Sequence, residues 1–368
     1  MIRAHKIRLN PTPEQETYLK KACGTSRFVF NWGLARWKEA KEQGIAEHGP
    51  MAIKKEFNAI KRDEFPWALD VTKNAAEDGF RRLNTALTNY FSWKNGKRKG
   101  ERVGFPKFKS KKRAKMSFTL DYERFRTDGH WLHISKMAEP INMAEILRFN
   151  GKPKWATISC AAGKWYVSVQ VEIEAPPAAE GKTPSVGVDL GIKTLATLSD
   201  GRQFENQQLL RSDLNRLKQL NRSLSRRKQG SNRWYRAQRK LQRFHARIAD
   251  RRSDAIHKMT ADVARNDSVI CVQDLNVKGM LRNRRLALSL ADASLSEALR
   301  QFGYKADQVV KVGRFFASSK TCNECGYVNH ALVLSDRQWA CQGCGSVRDR
   351  DWNAARNIEA EGLRLIAR

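Results

Sequence analysis

"SVGVDLGIKTLATLSDGRQFE", residues 185–205, reads as strand, turn, strand, Asp-Gly turn, strand. Val186, Gly187 and Val188 make a short apolar strand that ends on a carboxylate, Asp189, with Leu190 and Gly191 directly after it. A carboxylate leaving a strand end, beside a glycine that lets backbone approach closely, is a good ligand for a hard cation. Asp is also an ordinary turn residue, so this stretch alone does not decide its chemistry. A second apolar run, "SVICVQDLNVKGM" at 268–280, carries Val269, Ile270, Cys271 and Val272 into Gln273 and Asp274. Here the first polar residue is a neutral amide. A third position is Asp351 in "RDRDWNAARNI", at the start of a helix, where Asp is also a good N-cap. Three such positions, spread over about 160 residues, could converge on one two-metal centre for phosphodiester hydrolysis.

The surrounding composition agrees with a polyanionic partner. The 368 residues suggest two or three domains, and 41% hydrophobic residues suffice for a sizeable core. A net charge of +31, from 69 Lys and Arg against 38 Asp and Glu, repels itself unless something neutralises it. Nucleic acid does so, because phosphates take up Lys and Arg while releasing counterions. No apolar run approaches the roughly 18 residues of a membrane span, and the N-terminus lacks a long apolar signal segment. The expectation is a cytoplasmic protein, working beside a bacterial nucleoid, with no membrane partner. Seven cysteines, an odd number in a reducing compartment, argue for metal binding and packing rather than disulfides.

Along the chain, residues 1–9 read as a strand, and Thr12, Pro13 and Gln15 give a capping-box helix start. Helical spacing then runs to about residue 95, with Phe28, Phe30, Trp32 and Phe80 expected in its core. Residues 94–115 are Gly-, Lys- and Arg-rich and cannot form a packed helix. From Ser117 to Ile173 the pattern is of strands, the clearest being a hairpin around Ala161–Lys164. Residues 174–184 look like a linker. A basic helical stretch, 211–258, holds 16 Lys and Arg against three Asp. A strand at Val309–Phe316 and a final helix from about Trp352 close the chain.

Between that strand and helix, Cys322, Cys325, Cys341 and Cys344 form two C-x2-C pairs fifteen residues apart. Four thiolates at this spacing suit a closed, structural, tetrahedral zinc on two knuckles. So small a ribbon has no core of its own, so its folding depends on the metal.

Taken together, "GVDLGIKTLATLSDG", "VQDLNVKGML", the four-cysteine ribbon and "DRDWNAARNI" resemble the TnpB family, RNA-guided nucleases encoded by small bacterial insertion sequences. The N-terminal "KIRLNPTPEQETYLKKACGTSRFVFNWGL" and the basic "GFPKFKSKK" resemble the family too, so the likeness covers nearly the whole chain. It implies an α/β multidomain protein: a wedge-type β-barrel at 1–10 and 101–180, and a helical recognition lobe at 11–100. Residues 181–368 would be a RuvC-like RNase H-fold domain, with a zinc ribbon inserted at about 318–348. It also implies a guide RNA from the transposon end, double-stranded target DNA beside a transposon-adjacent motif, and magnesium-dependent cleavage.

Carried over by motif, Asp189 is the first catalytic carboxylate and Asp351 the third. Gln273 stands where the family has the Glu of a Glu-Asp-Leu motif. Magnesium would then be held by Asp189 and Asp351, weakened by Gln273, and cleavage would be impaired. Asp274 is no substitute, because neighbouring strand residues point to opposite faces. Asp349 is a spare acid, closer to the loop. A naturally nuclease-inactive RNA-guided repressor and a DNA-only transposase are the rival expectations; the oligomeric state is left open.

Two basic stretches are expected to track phosphates. In 226–243 these are Arg226, Arg227, Lys228, Arg233, Arg236, Arg239 and Lys240, interleaved with Trp234 and Tyr235. In 107–115 they are Lys107, Lys109, Lys111, Lys112 and Arg113, expected against the guide RNA. Such contacts need only read backbone and A-form shape, because base pairing supplies sequence specificity.

Overall fold

A computed structural model describes residues 1–45, 49–174, 181, 183–333 and 336–367. The expected linker at 174–184 falls largely outside the described residues. The chain forms two compact units, Met1–Pro176 and Pro177–Arg368.

The first unit begins with β1 (Ile2–Asn10) and α1 (Pro13–Glu42). The helix starts where the sequence says it should. Gln15 N donates to Thr12 Oγ1 and Thr12 N donates to Gln15 Oε1, a reciprocal capping box. Helices α2 (Pro50–Ile60) and α3 (Lys73–Lys94) follow, then β2 (Ser117–Asp121), β3 (Phe125–Asp128), β4 (Trp131–Ile134), β5 (Ile141–Met143), β6 (Lys152–Ala161) and β7 (Lys164–Glu172). The seven strands make one antiparallel sheet in the order β2-β6-β7-β1-β5-β4-β3. Its two edge strands, β2 and β3, are joined by a single 3-10 turn at Tyr122–Arg124, so the sheet almost closes into a barrel. Alternate residues of β7 (Trp165, Val167, Val169, Val171) point inward, as a half-buried strand requires.

Leu19, Ala22 and Cys23 of α1 and Ala75 of α3 belong to the same apolar core as the barrel interior. Further along α1, Phe30 packs with Leu34, Leu83 and Leu87, while Phe28 and Trp32 surround Phe57 and Phe80. These aromatics are core.

The second unit contains β8 (Thr183–Leu190), β9 (Thr194–Leu198), β10 (Gln203–Glu205), α4 (Leu209–Ser212), α5 (Leu214–Ser225), α6 (Asn232–Asn266) and β11 (Asp267–Gln273). Then come α7 (Val277–Met280), α8 (Ala287–Ala293), α9 (Leu295–Lys305), β12 (Gln308–Val312), β13 (Gln338–Ala340), β14 (Val347–Asp349) and α10 (Arg350–Ile366). The sheet order is β10-β9-β8-β11-β12. β8, β9 and β10 form the antiparallel meander read from 185–205, while β11 and β12 add in parallel. One face is covered by α6 and α9 through Ile256, Met259, Val263, Ala298 and Phe302. On the other lies α10, whose Ile358 packs against Cys271 and Val312. Gly187 is what lets α10 approach: a Cβ there would strike the carbonyl oxygen of Ala355 and the backbone of Glu359. The strand expected to run to Phe316 stops at Val312, because the chain turns over at Gly313 and Phe316 N donates to Gly313 O (3.0 Å).

Candidate active site and metal cluster

Sheet register places the first two candidate positions side by side. Val188 pairs with Val272 across the parallel β8–β11 ladder, so Asp189 and Gln273, each one residue on, leave neighbouring strands at the same end. The third arrives on α10. Asp349 caps that helix, accepting from the backbone N–H of Asp351 (3.0 Å) and of Trp352 (2.9 Å). Asp351 is therefore not the cap. Asp189, Gln273 and Asp351 line one cleft, together with Lys193, Arg211, Arg337 and Arg350.

Electrostatics in the cleft follow from crowding. Burial, and then the charge of nearby Asp351, push the Asp189 carboxyl up to about 7, against the opposing pull of Arg350. Asp351 has Arg350 at 3.4 Å and Arg337 at 3.5 Å. A third acid, Asp292, also borders the cleft, but both its oxygens are engaged by the N–H groups of Leu210 (2.8 Å) and Arg211 (3.0 Å), fixing α4. The sequence reading missed these arginines. Arg350 adjoins Asp351, but Arg337 arrives from the ribbon and no local pattern announces it.

Gln273 is held from behind. Its Nε2 donates to the carbonyl oxygens of Phe316 (3.0 Å) and Arg314 (3.3 Å). Carbonyls only accept, so the amide nitrogen must face them and the amide oxygen is the one ligand atom left. A Glu at this position would lose this donor. Asp274 does turn away, pairing with Arg314 at 2.7 Å. Asp189 and Asp351 offer carboxylate oxygens that fit a hard cation, and Gln273 offers a neutral one.

The four cysteines converge. Their sulfurs all lie within 4.8 Å of one another, with Cys325–Cys341 at 3.5 Å and Cys322–Cys344 at 3.8 Å. A tetrahedral site with Zn–S bonds of ~2.3 Å has S–S edges of roughly 3.8 Å, so the set fits such an ion. Both knuckles end on a glycine with positive φ, Gly326 (74°) and Gly345 (76°), which close matching turns by donating to Cys322 O and Cys341 O.

Among the basic residues, Arg226, Arg227, Lys228, Arg233, Arg236, Arg239 and Lys240 are all exposed and border two adjoining clefts on the α5–α6 hairpin. The hairpin is held together by Leu217, Leu241 and Ile248. Lys107, Lys111, Lys112 and Arg113 are exposed as well. Lys109 is different. Its ammonium sits 3.4 Å from the centre of the Phe30 ring, and Asn31 grips its backbone N–H (2.8 Å) and carbonyl (3.0 Å). Burial, with Arg82 nearby, lowers its pKa to about 8.

Residues 168–284 match the family model described as "Probable transposase", and residues 296–358, with all four cysteines, match "Cas12f1-like, TNB domain". Residues 1–46 match "Helix-turn-helix domain", although the described part of this stretch is one strand and one unbroken helix. The fold resembles the protein of a Cas12f1–sgRNA–target DNA complex, with a TM-score of 0.51 at 14% identity over 94% of this chain and 82% of that one. A relative from Streptomyces pristinaespiralis, named as a candidate RNA-guided DNA endonuclease, is 34% identical over 99% of this chain and 90% of its own length. InsQ of Escherichia coli K12, named in the same way, is 32% identical over 100% of this chain and 94% of its own. A TnpB-like protein of Acanthamoeba polyphaga mimivirus, L79, is 29% identical over 34% of this chain. The fold is thus similar to that of the Cas12f1 protein. The chain belongs to the TnpB family.

Proposed function

We propose that this chain is an RNA-guided DNA-binding protein whose second unit is a RuvC-like RNase H-fold domain carrying a zinc ribbon, and whose cutting is impaired at Gln273. On this reading the barrel of the first unit is the wedge element and its helices are the recognition lobe. The carrying observation is that Asp189, Gln273 and Asp351 line one cleft, although they lie far apart in sequence. Magnesium, when bound, would supply Lewis-acid activation of a phosphodiester and its attacking water. Asp189 and Asp351 would hold it, with Gln273 contributing a neutral oxygen. Lys193, Arg211, Arg337 and Arg350 would receive phosphate oxygens. The exposed cations of 107–113 and 226–240 would track guide RNA and heteroduplex backbone.

The decisive experiment is to purify the protein with its RNA, sequence that RNA, and measure binding and cleavage of DNA matching its guide. Guide-directed binding with scarce cleavage is expected. A protein that carries no discrete RNA and binds DNA regardless of sequence would overturn the reading in favour of a DNA-only transposase. A second reading, a naturally nuclease-inactive repressor, is favoured by one observation: the two hydrogen bonds from Gln273 suit an amide and not a carboxylate.

A further inference from the structure

Phe315 is 95% exposed, more than any other large hydrophobic residue among those described. Single exposed hydrophobics are normal on protein surfaces, so exposure alone argues nothing. The framework around this one does. The turn Gly313–Phe316 is held by Gln273, which donates to the carbonyls on either side of Phe315, and by Arg314 pairing with Asp274. The neighbouring Phe316 packs inward against the core of Cys271, Val312 and Ile358. Just downstream, the buried Asn353 and Asn357 of α10 each grip the carbonyl of Thr321 (2.7 and 2.6 Å). A loose loop could fold its ring away from water. Here the hydrogen bonds hold the backbone on both sides of Phe315, and the ring stands exposed.

The turn adjoins Gln273, which with Ser318 lines the cleft where Lys193, Arg211, Arg337 and Arg350 supply positive charge; Phe315 itself stands outside that lining. An aromatic face presented rigidly beside a cationic cleft is what binds an unpaired base, with stacking on the ring and phosphates on the cations. We infer that Phe315 is a base-stacking residue for single-stranded DNA entering the cleft, and that Gln273 is its positioning residue. This rests on the proposed reading of the cleft.

The test uses the full-length protein and a single-stranded DNA oligonucleotide carrying 2-aminopurine, followed by fluorescence quenching and anisotropy, with an abasic oligonucleotide as the comparison. Phe315→Ala should weaken binding by roughly five- to hundredfold, the range base–aromatic stacking spans, and abolish quenching. Phe315→Trp should keep both, and Phe315→Leu should behave like Phe315→Ala. Wild-type-like binding by the Leu variant would show an apolar contact without stacking. Equal wild-type affinity for abasic DNA would overturn the stacking role and leave the cleft reading standing. A wild-type protein that binds no single-stranded DNA would sink both. If Phe315→Ala changed only self-association, the face would belong to a second copy of the chain instead.

Discussion

Asp349 accepts a hydrogen bond from the backbone N–H of Asp351 at 3.0 Å, so the two acids of "DRD" have different work. One caps α10; the other is left to face the cleft. Asp349→Ala should cost about 1 kcal/mol of stability, as loss of a helix cap does. Asp351→Asn should leave chemical denaturation nearly unchanged while weakening magnesium-dependent stabilisation. Denaturation curves with and without magnesium separate the two, and a large stability loss from Asp351→Asn alone would contradict the assignment.

The cysteine cluster makes a second prediction. Cys322→Ser or Cys341→Ser should release one zinc per chain and destabilise the C-terminal region, because both are buried cysteines of the cluster that would hold the metal. Metal analysis of the intact protein that finds no zinc would remove the basis for this.

A third concerns the α5–α6 hairpin. Replacing Arg226, Arg227 and Lys228 by Gln should weaken nucleic-acid binding about equally across target sequences. Loss of three phosphate contacts should also flatten the slope of log K against log salt by roughly 2 to 3. If affinity falls only for certain targets, these side chains read bases and the backbone-tracking assignment is wrong.

How much was legible beforehand depended on how local the physics is. The Thr12–Gln15 capping box, the 185–205 meander and the cysteine spacing are short-range patterns, and all appear in the structure where the sequence put them. The convergence of Asp189, Gln273 and Asp351 was open to suggestion from their residue types, but only the family likeness assigned the three to one site. No periodicity connects strand ends so far apart. Arg337 in the cleft and the carbonyls behind Gln273 were illegible, because a main-chain carbonyl has no sequence signature and the turn holding it is a tertiary product. The final helix begins at Arg350, two residues before the expected Trp352, and its cap is Asp349, a spare acid in the sequence reading; helix ends are uncertain on this scale.

Lys109 gives a pH prediction. Its ordinary pKa of 10.5 is lowered to about 8 in the folded chain, so between these values the unfolded state binds more protons. Stability should therefore rise with pH from about 8 to 10.5, and the cost of the charged form is fully present below 8. Lys109→Met should remove that slope and stabilise the protein at pH 7 by about 1 kcal/mol, discounted for partial solvent screening. Urea denaturation across this range measures it. A wild-type slope retained in the variant would place the titration elsewhere.

The last prediction returns to Gln273. Glu has nearly the same shape, so β11 should persist. Its carboxylate, however, would face the carbonyl oxygens of Arg314 and Phe316 with no proton to donate. In the absence of magnesium, Gln273→Glu should thus lose about 0.5–1.5 kcal/mol, the net worth of a typical hydrogen bond, and loosen the turn that carries Phe315. In magnesium the balance reverses in function, since the third charge strengthens cation binding beside Asp189 and Asp351. Metal assistance is worth several kcal/mol of barrier, and each ~1.36 kcal/mol is tenfold in rate, so cutting should rise by about two orders of magnitude or more. The measurement is cleavage by both proteins loaded with the same guide and given the same target, with a parallel melting curve in chelator. Equal rapid cleavage would show that Gln273 does not limit the site. Equal melting in chelator would show that its amide does not hold the turn.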